Sequence, residues 1–265
     1  MTRKNNNYNS SAIALAMIAI FAVAFFLGFA ANDMIASVTP LPQPELISDL
    51  KDRTATANVV AVTDSGQGVI GKANIEIVPG KGRILVNTNP FIEPDTQLSA
   101  ETAVSYALNY TRKSIRDHDI IVSFSMTDLQ GNNLNINGQV IGGPSAGAAL
   151  TVATIAALEN RQIREDVAMT GTVEADGVIG KIGGVIEKAD AAGKAGINIF
   201  LVPTGQAIST YYEKEVQTDT SGPFQVKRVR YVPKTINLNN YTTEQWNMTT
   251  YEIPRIEDAL KYVIE

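Results

Sequence analysis

Apolar and polar positions divide the chain into two unlike parts. From Ala12 to Ala31 every residue but Gly28 is apolar, and no polar face interrupts the run. At about 1.5 Å per helical residue such a stretch reaches about 30 Å, the hydrocarbon thickness of a bilayer. It is also longer than the ~7–15-residue core of an ordinary signal peptide. A membrane-spanning helix over 12–31 is therefore expected, with a cleaved leader as the alternative, since Gly28 and Ala30 could supply the small residues of a cleavage site. Residues 32–54 hold Pro40, Pro42 and Pro44 in a polar setting and read as a semi-extended tether.

From Thr56 onward the pattern turns globular. Strands are expected at Asn58–Val62, at Val69–Val78 with Ile75 and Ile77 in alternation, and at Arg83–Asn87 after the turn Pro79-Gly80-Lys81-Gly82. Helical spacing of Val104, Ala107 and Leu108 predicts a helix over Ser99–Arg116 with Ser99 as its N-cap. A strand at Ile120–Met126 is followed by a Gly- and Asn-rich loop over 128–143, then a helix from Ser145 to Leu158. Val167–Glu174 and a short run from Val178 suggest two strands turned at Asp176-Gly177. A helix over Gly184–Lys194, a strand over Ile197–Val202 and a closing helix over Ile256–Val263 complete the pattern. Residues 213–250 are polar and weakly periodic, with no assignable role. Helices and strands mix without a strict βαβ repeat, which argues for an α+β fold.

Charge sets an orientation. Arg3 and Lys4 precede the apolar run, whereas Asp33, Glu45 and Asp49 are the first charges beyond it. The positive-inside rule then places residues 1–11 in the cytoplasm and residues 32–265 outside. Three glycosylation-type triplets, at Asn109, Asn240 and Asn247, fall in that outer part and carry little weight. A net charge of −5 and a charged fraction of 18% leave no basic footprint for nucleic acid. The chain contains no cysteine, which excludes disulfides, thiolate metal sites and a thiol nucleophile, and its single histidine, His118, excludes an imidazole-rich metal cage.

Gly142-Gly143-Pro144-Ser145-Ala146-Gly147 leads into a helix of small residues, where the first N–H groups lack partners and the helix dipole is positive. That is a setting in which a serine nucleophile and the oxyanion it generates can be stabilised. The plainer reading, a capping serine, is weakened because the capping-box position holds Ala148 and because Pro144 suits the first helical turn. As a base, His118 is poorly placed between Asp117 and Asp119. A lysine can serve if burial lowers its pKa. Lys188 has Val185, Ala189 and Ala192 beside it at helical spacing, Lys181 and Lys194 being rivals. On pattern alone a surface position remains the default for Lys188.

Three blocks resemble signature segments of the Lon protease proteolytic domain: Gly143-Pro144-Ser145-Ala146-Gly147, Met169-Thr170-Gly171 and Ile182-Gly183-Gly184-Val185-Ile186-Glu187-Lys188, in matching order and spacing. Weaker similarity extends the match over roughly residues 58–204. The resemblance implies a Ser-Lys dyad of Ser145 and Lys188, support from Thr170, and an oxyanion hole made by backbone N–H groups of Ser145 and of a neighbour such as Gly143. It also implies polypeptide substrates and a homo-oligomer, hexameric in relatives, with no cofactor. Three departures stand out. The acid that many Lon proteases carry three residues before the serine is replaced by Gly142. The strand Ile121–Met126 lacks the histidines of bacterial relatives. No Gly-x-x-x-x-Gly-Lys-Ser/Thr loop occurs in these residues.

The expected organisation is thus a cytoplasmic 1–11, a span over 12–31, a tether over 32–54, a peptidase domain over 55–204 and its C-terminal extension over 205–265. The expected activity is ATP-independent endopeptidase action outside the cytoplasm on unfolded or flexible chains. Alternatives are a catalytically silent domain of the same type that binds peptides or scaffolds other membrane proteins, and a peptidase that mainly processes itself.

Overall fold

The computed structural model describes residues 45–46, 53–127, 140–221 and 224–265. The expected span over 12–31 and most of the tether lie outside these residues. Among the described residues no helix is long and apolar enough to cross a membrane. Residues Glu45–Glu265 form one compact unit.

The organising element is a mixed sheet of β1 (Arg53–Val62), β2 (Gly68–Pro79), β3 (Ile84–Val86), β4 (His118–Thr127), β5 (Val167–Met169), β6 (Ile199–Pro203) and β9 (Thr249–Ile253). Its spatial order is β9-β6-β5-β1-β2-β4-β3. Only β2 runs against the rest, since its pairings with β1 and β4 are antiparallel and all other neighbours pair in parallel. Parallel neighbours need crossovers, and helices supply them. These are α1 (Pro94–Thr111), α2 (Gly147–Glu159), α3 (Val185–Lys194), α4 (Leu238–Trp246) and α5 (Ile256–Val263).

Alternation along each strand feeds two cores, one on each face of the sheet. Val59, Ile75, Ile77, Ile120, Val122 and Leu201 pack with α1, α2 and α5. Val60, Ile70, Ala168, Phe200 and Val202 face the other way, against α3 and α4. α2 lies deep in the first core and is buried from Gly147 to Leu158. Its sequence allows this because Thr151 and Thr154 are its only polar residues before Glu159, and their hydroxyls donate back to the carbonyls of Gly147 (2.8 Å) and Leu150 (2.7 Å).

Helices and strands do mix as expected, now resolved into a mixed α/β arrangement with helices on both faces. Several boundaries differ from the sequence expectation. The first helix begins at Pro94, so Ser99 is an interior, buried residue and not an N-cap. The expected strand Val167–Glu174 is broken in two, at Met169 and Thr172. The closing helix matches its expected bounds.

The segment 213–250 without an assignable role falls largely on a hairpin that begins before it, β7 (Ile208–Ser221) with β8 (Phe224–Asn237), paired in register throughout. Alternation places Ile208, Tyr212, Val216, Val229 and Tyr231 on one face and Glu213, Glu215, Arg230 and Lys234 on the other. Both faces are largely exposed, Tyr212 at 68% and Tyr231 at 63%, so the polar average of the sequence concealed an ordered ribbon. Beyond it, α4 and β9 return to the body, where β9 completes the sheet edge beside β6.

Candidate active site

Ser145 lies in a single 3-10 turn, Pro144–Ala146, entered from Gly143 at φ 87° and continuing into α2. Pro144 occupies the first turn, as its missing N–H and fixed φ favour, and no side chain caps the turn. Ser145 is half-buried and is no capping residue.

The turn is held from two sides. On one side Ser145 O accepts from Gly171 N at 2.8 Å and from Thr170 Oγ1 at 3.3 Å, while Ala148 N donates to Gly171 O at 3.0 Å. This exchange explains the break between β5 and Thr172–Val173. Thr170 N still donates to Leu201 O within the sheet, but Gly171 turns its bonds to the serine loop. On the other side, α1 supplies Thr96 Oγ1 to Gly143 O (3.0 Å) and Ser99 Oγ to Pro144 O (3.1 Å). Asp95 Oδ1 accepts Gly143 N at 3.3 Å. The carboxylate of Glu93 lies against Gly142, where a Cβ would come within 2.0 Å of Glu93 Oε2. An acid is therefore present beside residue 142 although none stands at that position in sequence. No sequence period marks Glu93, Asp95, Thr96 or Ser99, because what they contact is far along the chain.

Lys188 projects from the first turn of α3, whose entry residue Gly184 takes the left-handed conformation at φ 64°. Val185, Ala189 and Ala192 seat that helix in the second core. Lys188 is only 4% exposed, whereas Lys181 and Lys194 are exposed. Its Nζ donates to Thr170 Oγ1 at 3.2 Å, and Thr170 is itself buried. Burial disfavours the ammonium and pushes the Lys188 pKa down to about 8. Ser145, Thr170 and Lys188 are thus linked: Nζ donates to the threonine hydroxyl, which donates to the serine carbonyl. The Ser145 hydroxyl has no hydrogen bond to Nζ in this structure. His118 pairs its backbone with Pro79 on β2 and joins none of this group. A cavity of about 300 Å³ lined by Gly68, Glu187, Asp190 and Lys194 among others opens elsewhere along α3 and includes neither Ser145 nor Lys188.

The site thus brings a buried amine within one hydroxyl of the backbone of a serine at a helix entrance, so that a potential base and a potential nucleophile lie on neighbouring elements. The chain belongs to the family of the Lon protease (S16) C-terminal proteolytic domain, whose model matches residues 44–232. It is 34% identical over 165 residues to the Lon protease of Chloroflexus aggregans, covering 61% of this chain and 19% of that one. It is 31% identical over 163 residues to Lon protease 1 of Myxococcus xanthus, covering 59% of this chain and 18% of that one. The Lon protease of Dictyoglomus thermophilum is 29% identical over 155 residues, which cover 58% of this chain and 18% of that one. The chain therefore spans about a fifth of the length of these curated relatives.

Proposed function

We propose that this protein is a serine endopeptidase in which Ser145 is the nucleophile and Lys188 the general base. The observation that carries the reading is the burial of Lys188. A solvated lysine is protonated at neutral pH and cannot accept a proton, but desolvation brings Lys188 to about 8, so an appreciable fraction is neutral near pH 7–8.

The chemistry then runs in two stages. Ser145 Oγ attacks the peptide carbonyl carbon while its proton passes to Lys188 Nζ. The oxyanion so formed rests on the backbone N–H of Ser145 at the entrance to α2, where the helix dipole also favours it. Collapse of the tetrahedral intermediate breaks the C–N bond, and Lys188 returns the proton to the departing amine. Water, deprotonated in turn by Lys188, attacks the acyl carbon, the C–Oγ bond breaks, and Lys188 returns the proton to Ser145 Oγ. Thr170 holds one N–H of Lys188 and leaves the nitrogen lone pair for the serine. The contact between nucleophile and base commonly tightens only when substrate docks.

The proposed substrates are unfolded or flexible polypeptides, cleaved without nucleotide, a reading supported by the charges flanking the apolar run, which favour a domain held outside the ATP-containing cytoplasm. The proposed organisation keeps residues 12–31 as a bilayer anchor with the peptidase domain outside the cytoplasm, on the strength of the apolar run and its flanking charges. Self-association is proposed by analogy with the family alone. The decisive experiment is cleavage of a denatured protein by the full chain in detergent micelles, without nucleotide. Loss of cleavage in Ser145→Ala is expected, and turnover by that variant at the wild-type rate would falsify the assignment. Protease protection in sealed membranes tests the orientation, and an accessible domain on the cytoplasmic side would reverse it.

A further inference from the structure

The hydroxyls of α1 behave in two different ways. Thr102 and Thr111 donate back along the helix, to Leu98 O at 2.9 Å and Ala107 O at 2.8 Å, which is the ordinary use of a hydroxyl inside a helix. Thr96 and Ser99, both buried, instead donate across to the serine loop. Together with Thr170 they hold three successive carbonyls, those of Gly143, Pro144 and Ser145. Contact at this junction is close. A Cβ added to Gly147 would lie 2.6 Å from Ser99 Oγ, so the loop can approach α1 only because residue 147 is glycine.

Holding a carbonyl also aims an amide. The only cis peptide among the described residues is Asn89–Pro90, so the Pro144–Ser145 peptide is trans and planar. In such a peptide the C=O and the N–H point in opposite directions. With Pro144 O drawn toward α1 by Ser99 Oγ, and also accepting Gly147 N, the Ser145 N–H is turned away from α1. Among the described residues that N–H has no hydrogen-bond partner, whereas Gly143 N–H is taken by Asp95. The amide left free for a developing oxyanion is therefore that of the nucleophile itself.

We infer that Ser99 is a positioning residue: its buried hydroxyl fixes the Pro144–Ser145 peptide plane and so aims the Ser145 N–H at the oxyanion of the proposed peptidase reaction. This rests on the peptidase reading above and deepens it. Ser99 touches neither substrate nor reacting atoms, and its effect passes through one peptide unit. Alanine at 99 leaves Gly147 N as the sole described donor to Pro144 O, frees the plane to rock, and weakens a donor that acts in the transition state and not in substrate binding.

The test compares full-length wild type, Ser99→Ala and Ser145→Ala on an unstructured peptide, with rates expressed per active site after titration to completion with a fluorophosphonate. Affinity for a peptide boronic acid, whose tetrahedral adduct with the serine mimics the oxyanion state, is measured alongside. Ser99→Ala should lose about tenfold or more in kcat, with KM within about twofold, and boronate affinity should fall by a similar factor. A merely structural role would lower the melting temperature and the titratable fraction but leave both quantities per site unchanged, and that result overturns the inference. A loss confined to KM overturns it as well. Wild-type turnover by Ser145→Ala sinks the peptidase reading instead, so the two failures are told apart.

Discussion

Lys188 Nζ donates to Thr170 Oγ1 at 3.2 Å while the same hydroxyl donates to the carbonyl of Ser145 at 3.3 Å. One buried threonine thus joins the amine on α3 to the loop that carries the serine. The sheet explains why such a bridge can form. β5 ends at Met169, one residue before Thr170, and lies between β1 and β6, so the bridge is anchored near the middle of the sheet.

Replacing Thr170 with valine keeps the shape and removes both bonds. The buried Nζ then loses its described partner, at a cost of about 1–3 kcal/mol in stability. The amine is also free to rotate away from the serine, so kcat should fall about 10- to 100-fold. Thr170→Ser keeps the hydroxyl and should retain most of the rate. Steady-state kinetics beside urea denaturation checks both, and full activity in the valine variant would show that the bridge is idle.

Catalysis should follow the titration of Lys188. With burial holding its pKa near 8, kcat/KM should rise with pH, reach half its maximum near pH 8 and level off above. Lys188→Arg should be inactive throughout, because guanidinium does not deprotonate in this range. Stability carries the same signature. Between about 8 and the unfolded value near 10.5 the unfolded chain binds more protons than the folded one, so stability rises with pH across that window. Below it the full penalty of burying the ammonium remains. Lys188→Met removes that penalty and should stabilise the fold at pH 7 by roughly 2–3 kcal/mol, a gain that disappears toward pH 11. Denaturant melts from pH 6 to 11 measure this, and a difference constant with pH contradicts it.

Asp119 offers a contrast away from the site. It is buried at the start of β4, accepts the N–H groups of Lys81 and Arg83, and pairs with the Arg83 guanidinium at 3.0 Å from Nε. These donors hold its carboxyl well below the usual carboxylate range, the Arg83 side-chain bond contributing most. Such a group stabilises the fold above the unfolded pKa near 4, and the contribution fades as pH falls toward the folded value. Asp119→Asn should lower the melting temperature at pH 7 without changing kcat, and the gap to wild type should narrow below pH 4. Calorimetry across that range decides it, and a gap that widens in acid would reverse the sign.

The extent to which this was legible from sequence depends on the range of each interaction. The helix Ile256–Val263 and the alternation of Ile75 and Ile77 are local signals, and they hold. The place of Ser145 at a helix entrance was legible because glycines, proline and small residues surround it within one turn. Lys188 looked like any surface lysine, since its burial depends on α3 lying over β2 and on residues distant in sequence. Ser99 was misread for the complementary reason. Serine ahead of an apolar run is a capping signal, but Pro94 opens the helix five residues earlier and the hydroxyl serves Pro144 instead. The hairpin Ile208–Asn237 escaped because its apolar face is exposed, so no burial pattern separated it from a polar loop.

Gly68 makes the seating of Lys188 testable from outside the site. A Cβ on Gly68, at the start of β2, would lie 1.9 Å from the backbone oxygen of Glu187 and 3.1 Å from Ala191 Cβ. A flexible side chain could move aside, but a helix backbone in a packed layer cannot, so Gly68→Ala must lift the first turn of α3 off the sheet. That turn carries Lys188, the residue after Glu187. Overpacking of this kind costs about 1–3 kcal/mol, and it should also admit water around the amine. The pH midpoint of kcat/KM should therefore move up from about 8 toward the ordinary lysine value as activity near neutrality falls. Gly183→Ala is the matched control, because a Cβ there meets nothing within 4 Å, and it should stay within about 0.5 kcal/mol of wild type with an unchanged midpoint. If Gly68→Ala loses stability but keeps its midpoint, the low Lys188 pKa does not come from the seating of α3 on β2.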